Sequence, residues 1–450
     1  MEQPAQTYRA HARAIWVLGM PLILSNMAQF AVQLTDTIML GWYDVTALAA
    51  STIAGTLYFL VFIVGAGFAH AVTPMVAAAA EKKDDTQVRR VTRMGLWLSI
   101  LYGAVLMTSF FFTEQILLAI GQDPDVAALA HIYAQIILFQ MIPALMVMTL
   151  KSFFSALEHT AVILAATIIM ALSNAALNYV LIFGNFGAPE LGIRGAGIAS
   201  VTVTLINLLI FVVYIAMRLK RFTLFQNFTR SDTEILSKVF RLGWPIGLTY
   251  LAEAGMFSAS AIMMGWMGSV SLAAHGIAVQ LASLTFMVHI GFSQAATVRA
   301  GRAIGRNDGQ GLRRGGWTAI GMSALFSLIT SAVFLAFPEA LVSLFIDPTD
   351  PDRIQLIQIG AALIMVAALF QLVDGAQALG LGVLRGMQDT TVPMVYAGVS
   401  YWCVGLPASY LLAFPFGYGS TGLWLGLVLG LAVAAALLIG RFFARSAQVA

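Results

Sequence analysis

Residues 19–42 read GMPLILSNMAQFAVQLTDTIMLGW, and residues 243–266, 224 positions later, read GWPIGLTYLAEAGMFSASAIMMGW. Each stretch is long and apolar enough to cross roughly 30 Å of hydrocarbon, which takes about 20 residues in a helix. Each also carries an acid that hydrocarbon cannot solvate, Asp36 in the first and Glu253 in the second. Gly19, Pro21, Met39, Gly41 and Trp42 recur as Gly243, Pro245, Met263, Gly265 and Trp266. The register continues without a gap. Leu48-Ala49-Ala50 falls on Leu272-Ala273-Ala274, Gly67-Phe68 on Gly291-Phe292, Arg89-Arg90 on Arg313-Arg314, and Asp123-Pro124 on Asp347-Pro348. After a further shift of seven residues, Phe139-Gln140 meets Phe370-Gln371. Chance does not hold one register over that length, so the chain is two copies of one unit.

The whole chain has the composition of a membrane protein. Its 450 residues are 60% hydrophobic and 10% charged, with a mean hydropathy of +0.86. An ordinary soluble domain has roughly 45 to 50% apolar and about 25% charged residues. Apolar runs of membrane-spanning length predict helices at 15–41, 46–76, 92–113, 131–152, 161–184, 194–218, 237–265, 271–298, 314–337, 354–383, 390–414 and 419–443. The expected fold is an all-α integral membrane protein with 12 transmembrane helices, arranged as two parallel six-helix lobes (a 6+6 internal repeat) around a central cavity. An even number of spans per copy makes both halves enter from the same side, an arrangement that serves alternating access in transporters. The expected lobes are 1–218 and 237–450, joined by a polar, basic cytoplasmic linker at 219–236. The first span is too long and too polar, with Gln29, Gln33 and Asp36, to be a signal peptide. Gly422, Gly426 and Gly430 recur at every fourth position, a seam for close helix packing.

A pI near 9.0 invites a nucleic-acid reading, but the placement of the charges excludes it. With the N-terminus inside, 22 of the 24 Lys and Arg fall on the inner side, and only Arg194 and Arg353 lie outside. Outer connections carry Asp123, Asp125, Asp347, Asp350 and Asp352 instead. That is the positive-inside pattern, with both termini cytoplasmic. The single cysteine, Cys403, excludes an internal disulfide and a cysteine-built metal site. No G-x-x-x-x-G-K-[ST], H-E-x-x-H or G-x-S-x-G is present. Their absence argues against ATP-driven transport and the commonest hydrolases, so neither an enzymatic activity nor a cofactor is expected.

Inside the spans only Asp36, Glu253 and Asp374 are acidic, and the sequence places no Lys or Arg mid-span to neutralise them. A carboxylate at the bilayer centre costs at least ~2.5 to 3.5 kcal/mol, so each is a candidate for function. Gln29, Gln33 and Asp36 are spaced to share one helix face. Asn174 and Asn178 lie one turn apart on the fifth span, and Thr202 adds a hydroxyl from the sixth. Together they predict an oxygen-rich cluster able to hold a proton or a hard cation such as Na⁺. The copies differ here: Glu253 aligns with Gln29, Asp36 with Ser260, and Asp374 with Pro143. An acid pair in one half and an acid with amides in the other suit an antiporter, in which a cation or proton competes with substrate. Tyr58, Phe62, Met256 and Phe257, with Met263, Met264 and Met287 nearby, suit bulky lipophilic cations through ring faces and adaptable thioethers. Pro21 is a candidate gating bend in the first helix. His275 and His289 are read as structural.

These residues resemble the multidrug and toxic-compound extrusion (MATE) family, and its NorM branch in particular. The resemblance covers nearly the whole chain. It rests on the repeat, on Pro21 to Asp36 with Thr35-Asp36-Thr37-Ile38-Met39-Leu40-Gly41, on Glu253, and on Asp374 leading to Gly382-Val383-Leu384-Arg385-Gly386. It implies a V-shaped two-lobe exporter of small organic cations in exchange for Na⁺ or H⁺. By the resemblance, Asp36 with Asn174, Asn178 and Thr202 matches the family's N-lobe cluster, and Glu253 with Asp374 its C-lobe cation site. One departure stands out: Phe370 occupies the place of a tyrosine one turn before the helix-ten acid. The resemblance also implies a bacterial inner membrane and lipid surroundings, and the expected assembly is a monomer. A flippase for lipid-linked sugars is the alternative within the same superfamily; an intramembrane enzyme using the Glu253 and Asp374 pair, or an ion channel, is a weaker one.

Overall fold

The structure, a computed structural model, describes residues 7–449 and contains no strand among them. Among the described residues eleven helices are long and apolar enough to cross a membrane. In chain order they are α1 (Tyr8–Tyr43), α2 (Val45–Glu81), α3 (Asp85–Ala119), α4 (Pro124–Ala156), α5 (Thr160–Phe183), α6 (Ile193–Arg218), α7 (Thr233–Gly265), α8 (Ser269–Arg306), α9 (Gly309–Ala336), α10 (Arg353–Gly386) and, last, α12 (Gly419–Ser446). Between the last two lies a broken span, α11, made of Thr391–Val399, a π-helical turn Ser400–Gly405, and Leu406–Ala413. It occupies the predicted span 390–414 and brings the total to twelve. Pro407 explains the break: proline has no N–H for the carbonyl one turn back and its ring crowds that carbonyl, which a wider turn relieves.

The repeat is written into the connections as well as the spans. Asp84 begins α3 by accepting from Gln87 N at 2.8 Å, and Asp308 begins α9 by accepting from Gly311 N at 2.7 Å. The residue before each cap is left-handed, Lys83 at φ 57° and Asn307 at φ 56°. Between the fourth and fifth spans of each copy, Glu158 and Gln388 adopt φ 64° and 59°. Side-chain caps satisfy amides that the first helical turn leaves bare, so an aspartate at the same repeat position starts the third span of each copy.

The chain divides into two compact units, one spanning Leu24–Gly247 and the other running up to Ile23 and on from Leu248. This division differs from the expected boundary at 219–236. The cuts fall inside α1 and α7, at positions 224 apart and two residues beyond Pro21 and Pro245. The first part of each of these helices therefore belongs to the unit built mainly from the other repeat.

Packing accounts for the assignment of α7. The linker is strapped onto α3: Arg89 donates to Thr223 at 2.6 Å, Arg90 to Asp232 at 2.6 Å, Arg93 to the Asn227 carbonyl at 3.1 Å and Trp97 to the Phe228 carbonyl at 2.8 Å. The Arg90 guanidinium holds the Asp232 carboxyl below the usual carboxylate range. The start of α7 then lies backbone to backbone on α2. A Cβ on Gly67 would collide with Gly247 N, and one on Gly243 would meet the Phe68 Cα at 2.6 Å. The repeat-related contact, between α1 and α8, is looser: Ile23 stands where Gly247 does, and a Cβ on Gly19 would meet nothing nearer than the Phe292 ring at 3.4 Å.

The glycine stripe on α12 packs as the sequence expects. Cβ atoms on Gly422 and Gly430 would meet Leu412 O and Gly405 Cα, each at 2.6 Å, and one on Gly426 would collide with Ser409 N. All of these lie on or next to the second half of α11, so the broken helix is held there by backbone contact.

These distances predict opposite outcomes for two glycines that the repeat equates. Gly243→Ala forces backbones apart and is expected to cost about 1 to 3 kcal/mol. Gly19→Ala meets only ordinary contact and is expected to be neutral or to gain up to about 1 kcal/mol from helix propensity. Thermal unfolding in detergent reads both; equal effects would show that the two crossings pack alike.

Candidate functional site

In the Leu24–Gly247 unit the site is built from α1 and α5. Asp36 sits at the end of a polar face of α1 and is half-buried. The Asn178 amide donates to its carboxylate, and Asn174 lies close to the same group. Both asparagines are fully buried, one turn apart, and Asn178 Nδ2 also approaches Asn174 Oδ1 at 3.4 Å. Asn174 Nδ2 and Asn178 Oδ1 are left without partners. An amide pair with unspent hydrogen-bonding capacity, touching a carboxylate, is an arrangement that can admit a proton or a cation.

The other predicted residues of this half are placed less directly. Thr202 gives its hydroxyl proton to the Ile198 carbonyl at 2.7 Å, within its own helix. Gln29 is exposed and accepts from Lys151 Nζ at 2.8 Å, and Gln33 is exposed. Tyr58 and Phe62 stack at 5.9 Å and pack against the apolar cluster of Ala54, Phe110 and Leu145. The Tyr58 hydroxyl is buried without a partner. Tyr133 on α4 is a further member: it bonds Ser200 and lies within electrostatic reach of Asp36.

In the unit that continues from Leu248 the carboxylates come from α7 and α10. Asp374 is 3% exposed and its strongest charged neighbour is Glu253. Glu253 is half-buried, with Gln377 as its hydrogen-bond partner and Arg385 within electrostatic reach. Arg385 donates to the Tyr250 hydroxyl at 2.6 Å and lies over that ring at 4.6 Å. No Lys or Arg lies mid-span beside these acids, but two cations reach towards them from elsewhere: Arg385 approaches Glu253 from the C-terminal end of α10, and Lys151 bonds Gln29 on the α1 face. Long basic side chains extend well beyond the depth of their own Cα.

Aromatic rings close one side of this pair. Phe257, one turn after Glu253, meets Phe370, one turn before Asp374, edge to face at 6.1 Å. Phe370 in turn packs on Trp424 at 5.4 Å. Met256 is completely buried, which makes it a packing residue rather than cavity lining. His275 receives the Trp424 indole N–H at 3.1 Å, and His289 lies between Ser323 at 2.8 Å and Ser327 at 3.3 Å.

The two acid clusters stand on a repeated scaffold whose halves match one known family separately. A family model described as MatE matches residues 21–180 and again residues 245–411, so the two matches begin on Pro21 and Pro245. The chain belongs to the MatE family. It is 44% identical over 445 residues to a probable multidrug resistance protein NorM of Rhizobium meliloti, covering 98% of this chain and 95% of the relative. A probable NorM of Synechococcus is 35% identical, with 97% and 95% covered. Among solved structures, the eukaryotic MATE transporter AtDTX14 superposes with a TM-score of 0.86 at 20% identity, with 98% of each chain covered. A MATE structure in the bent conformation superposes at 0.88 and 18% identity, covering 100% of this chain and 98% of that one. At these identities the structures establish the fold.

Asn178 is the residue on which the first cluster leans. Asn178→Leu removes the amide that faces Asp36 and is expected to cost about 1 to 3 kcal/mol, because a buried acceptor loses its donor. Thr202→Val removes a bond confined to one helix turn and is expected to cost less than about 1 kcal/mol. Unfolding midpoints in detergent check the order; a reversed order would assign Thr202 the closer bond to Asp36.

Proposed function

We propose that this MatE protein is a secondary active multidrug efflux antiporter, exporting small organic cations in exchange for Na⁺ or H⁺ by alternating access. The observation that carries the reading is the Glu253 and Asp374 pair: two carboxylates within mutual reach inside an apolar helix bundle, with one guanidinium nearby. Such a pair gains from taking up a positive charge, whether proton, metal cation or organic cation. Asp36 with Asn174 and Asn178 offers a second oxygen-rich locus. The names of the relatives as probable multidrug resistance proteins support the substrate class.

Organic cations are recognised in this reading by charge and by ring faces. Tyr58, Phe62 and Phe257 are each partly exposed, as a ligand-facing ring must be. Pro21 supplies the bend that lets the two parts of α1 move with different units, in line with the division just after it. Gln29 and Gln33 lie on the polar face that leads to Asp36. The protein works in a bacterial inner membrane with both termini cytoplasmic, as a monomer, and without a cofactor.

Efflux of ethidium from proteoliposomes under separately imposed Na⁺ and pH gradients tests the proposal. One gradient is expected to drive the wild-type protein, and Asp36→Asn or Asp374→Asn to lower the driven rate at least tenfold. Indifference of folded, correctly inserted wild-type protein to both gradients would overturn antiport.

A further inference from the structure

The Glu253 and Asp374 pair has a neighbour that the sequence does not single out. Tyr401 is the second residue of the π-helical turn in α11 and is fully buried. Its hydroxyl accepts from Gln377 Nε2, and Gln377 also lies within hydrogen-bonding reach of Glu253. Both Glu253 and Asp374 lie within electrostatic reach of the same hydroxyl. An amide nitrogen has two protons, so one Gln377 side chain can serve both the carboxylate and the phenol. The phenol oxygen already accepts and keeps its own proton to donate. Gln377 Oε1 has no partner although the side chain is 1% exposed. That is a fully buried, unspent oxygen three residues beyond Asp374 on α10.

We propose that the Tyr401 hydroxyl and the Gln377 amide complete the Glu253–Asp374 cation site, with the π-helical turn of α11 setting the position of the hydroxyl. The inference rests on the antiporter reading and adds neutral ligands to it. Two carboxylates supply charge but leave a small hard cation short of oxygens, and six or so are usual where protein and water share the shell. The phenol oxygen and Gln377 Oε1 are neutral oxygens beside this pair. They also compensate for Phe370, whose ring meets Phe257 beside the acids but has no oxygen to offer.

The π turn has a reason to be where it is. One wider turn rotates the helix relative to a regular one, and such turns recur at functional sites. Here the turn is pinned from behind, where Gly405 and Gly430 approach so closely that a Cβ on Gly430 would meet Gly405 Cα at 2.6 Å. Trp402, the next residue, donates its indole N–H to the Ala252 carbonyl at 3.1 Å, one residue before Glu253. The turn is thus tied to α12 on one side and to α7 beside Glu253 on the other, which leaves Tyr401 little freedom to leave the pair.

Tyr401→Phe keeps the ring and removes only the oxygen. In proteoliposomes the half-saturating concentration of the driving cation, Na⁺ or H⁺, is expected to rise at least tenfold. Efflux is read across the full range of driving-cation concentration, so that a shift in half-saturation is separated from a loss of maximal rate. Gln377→Met, which keeps the length of the side chain, is expected to shift the half-saturating concentration in the same direction and serves in place of Tyr401→Phe should that variant fail to fold. Glu253→Gln, run alongside, distinguishes failure of the added ligands from failure of the site. If Glu253→Gln abolishes coupling while the Tyr401 and Gln377 variants keep the wild-type half-saturating concentration, this proposal falls and antiport stands. If Glu253→Gln also couples like wild type, the site itself is misplaced and both fall.

Discussion

Hydrocarbon offers a carboxylate nothing to bond to, and much of the interior is arranged around that fact. Each acid in a span needs a partner delivered by another span. Asn178 on α5 does this for Asp36 on α1, and Gln377 on α10 does it for Glu253 on α7. Such short side chains reach only if helices approach closely. The glycines that let α12 close on α11 and α7 close on α2 therefore belong to the same solution as the polar groups.

The exchanged helix parts follow from similar packing. Pro21 and Pro245 remove a main-chain hydrogen bond at equivalent points, and the division between compact units falls just beyond each. What differs is the surface each part lands on. Gly67, Gly243 and Gly247 make the α7 contact a fit of backbones on both sides, whereas at the α1 contact the Ile23 side chain intervenes and a Cβ on Gly291 would meet Ile23 N and Cα at 3.0 Å. The same asymmetry runs through the chemistry: Asp36 has two amides and a phenol near it, while Glu253 has a second acid, an amide, a phenol and a guanidinium.

The fold was legible in the sequence because membrane thickness forces apolar runs of one length, and the repeat in Pro21 and Pro245 extended to caps such as Asp84 and Asp308. The break in α11 was not, since a π turn leaves no mark in composition beyond Pro407. The acids were legible as charges in oil. Their partners were harder to see, because Tyr133, Gln377 and Tyr401 are ordinary residue types in membrane helices and nothing in their spacing sets them apart. Lys151 was read only as a marker of the inner side, and Arg385 as that and as part of the stretch following Asp374, although their long chains reach polar groups within the bundle. The unit boundary escaped because a polar linker marks where the chain is exposed, while the compact units follow glycine contacts that bring distant residues together.

In the proposed antiport, coupling cation and organic cation compete for the same carboxylates. Equilibrium binding of a fluorescent organic cation to detergent-purified protein, titrated with Na⁺ at several pH values, tests that competition without a membrane or a gradient. Na⁺ or protons are expected to displace the probe from wild-type protein, and Glu253→Gln with Asp374→Asn to abolish the displacement. Probe binding that is indifferent to both cations in folded wild-type protein would contradict a shared site.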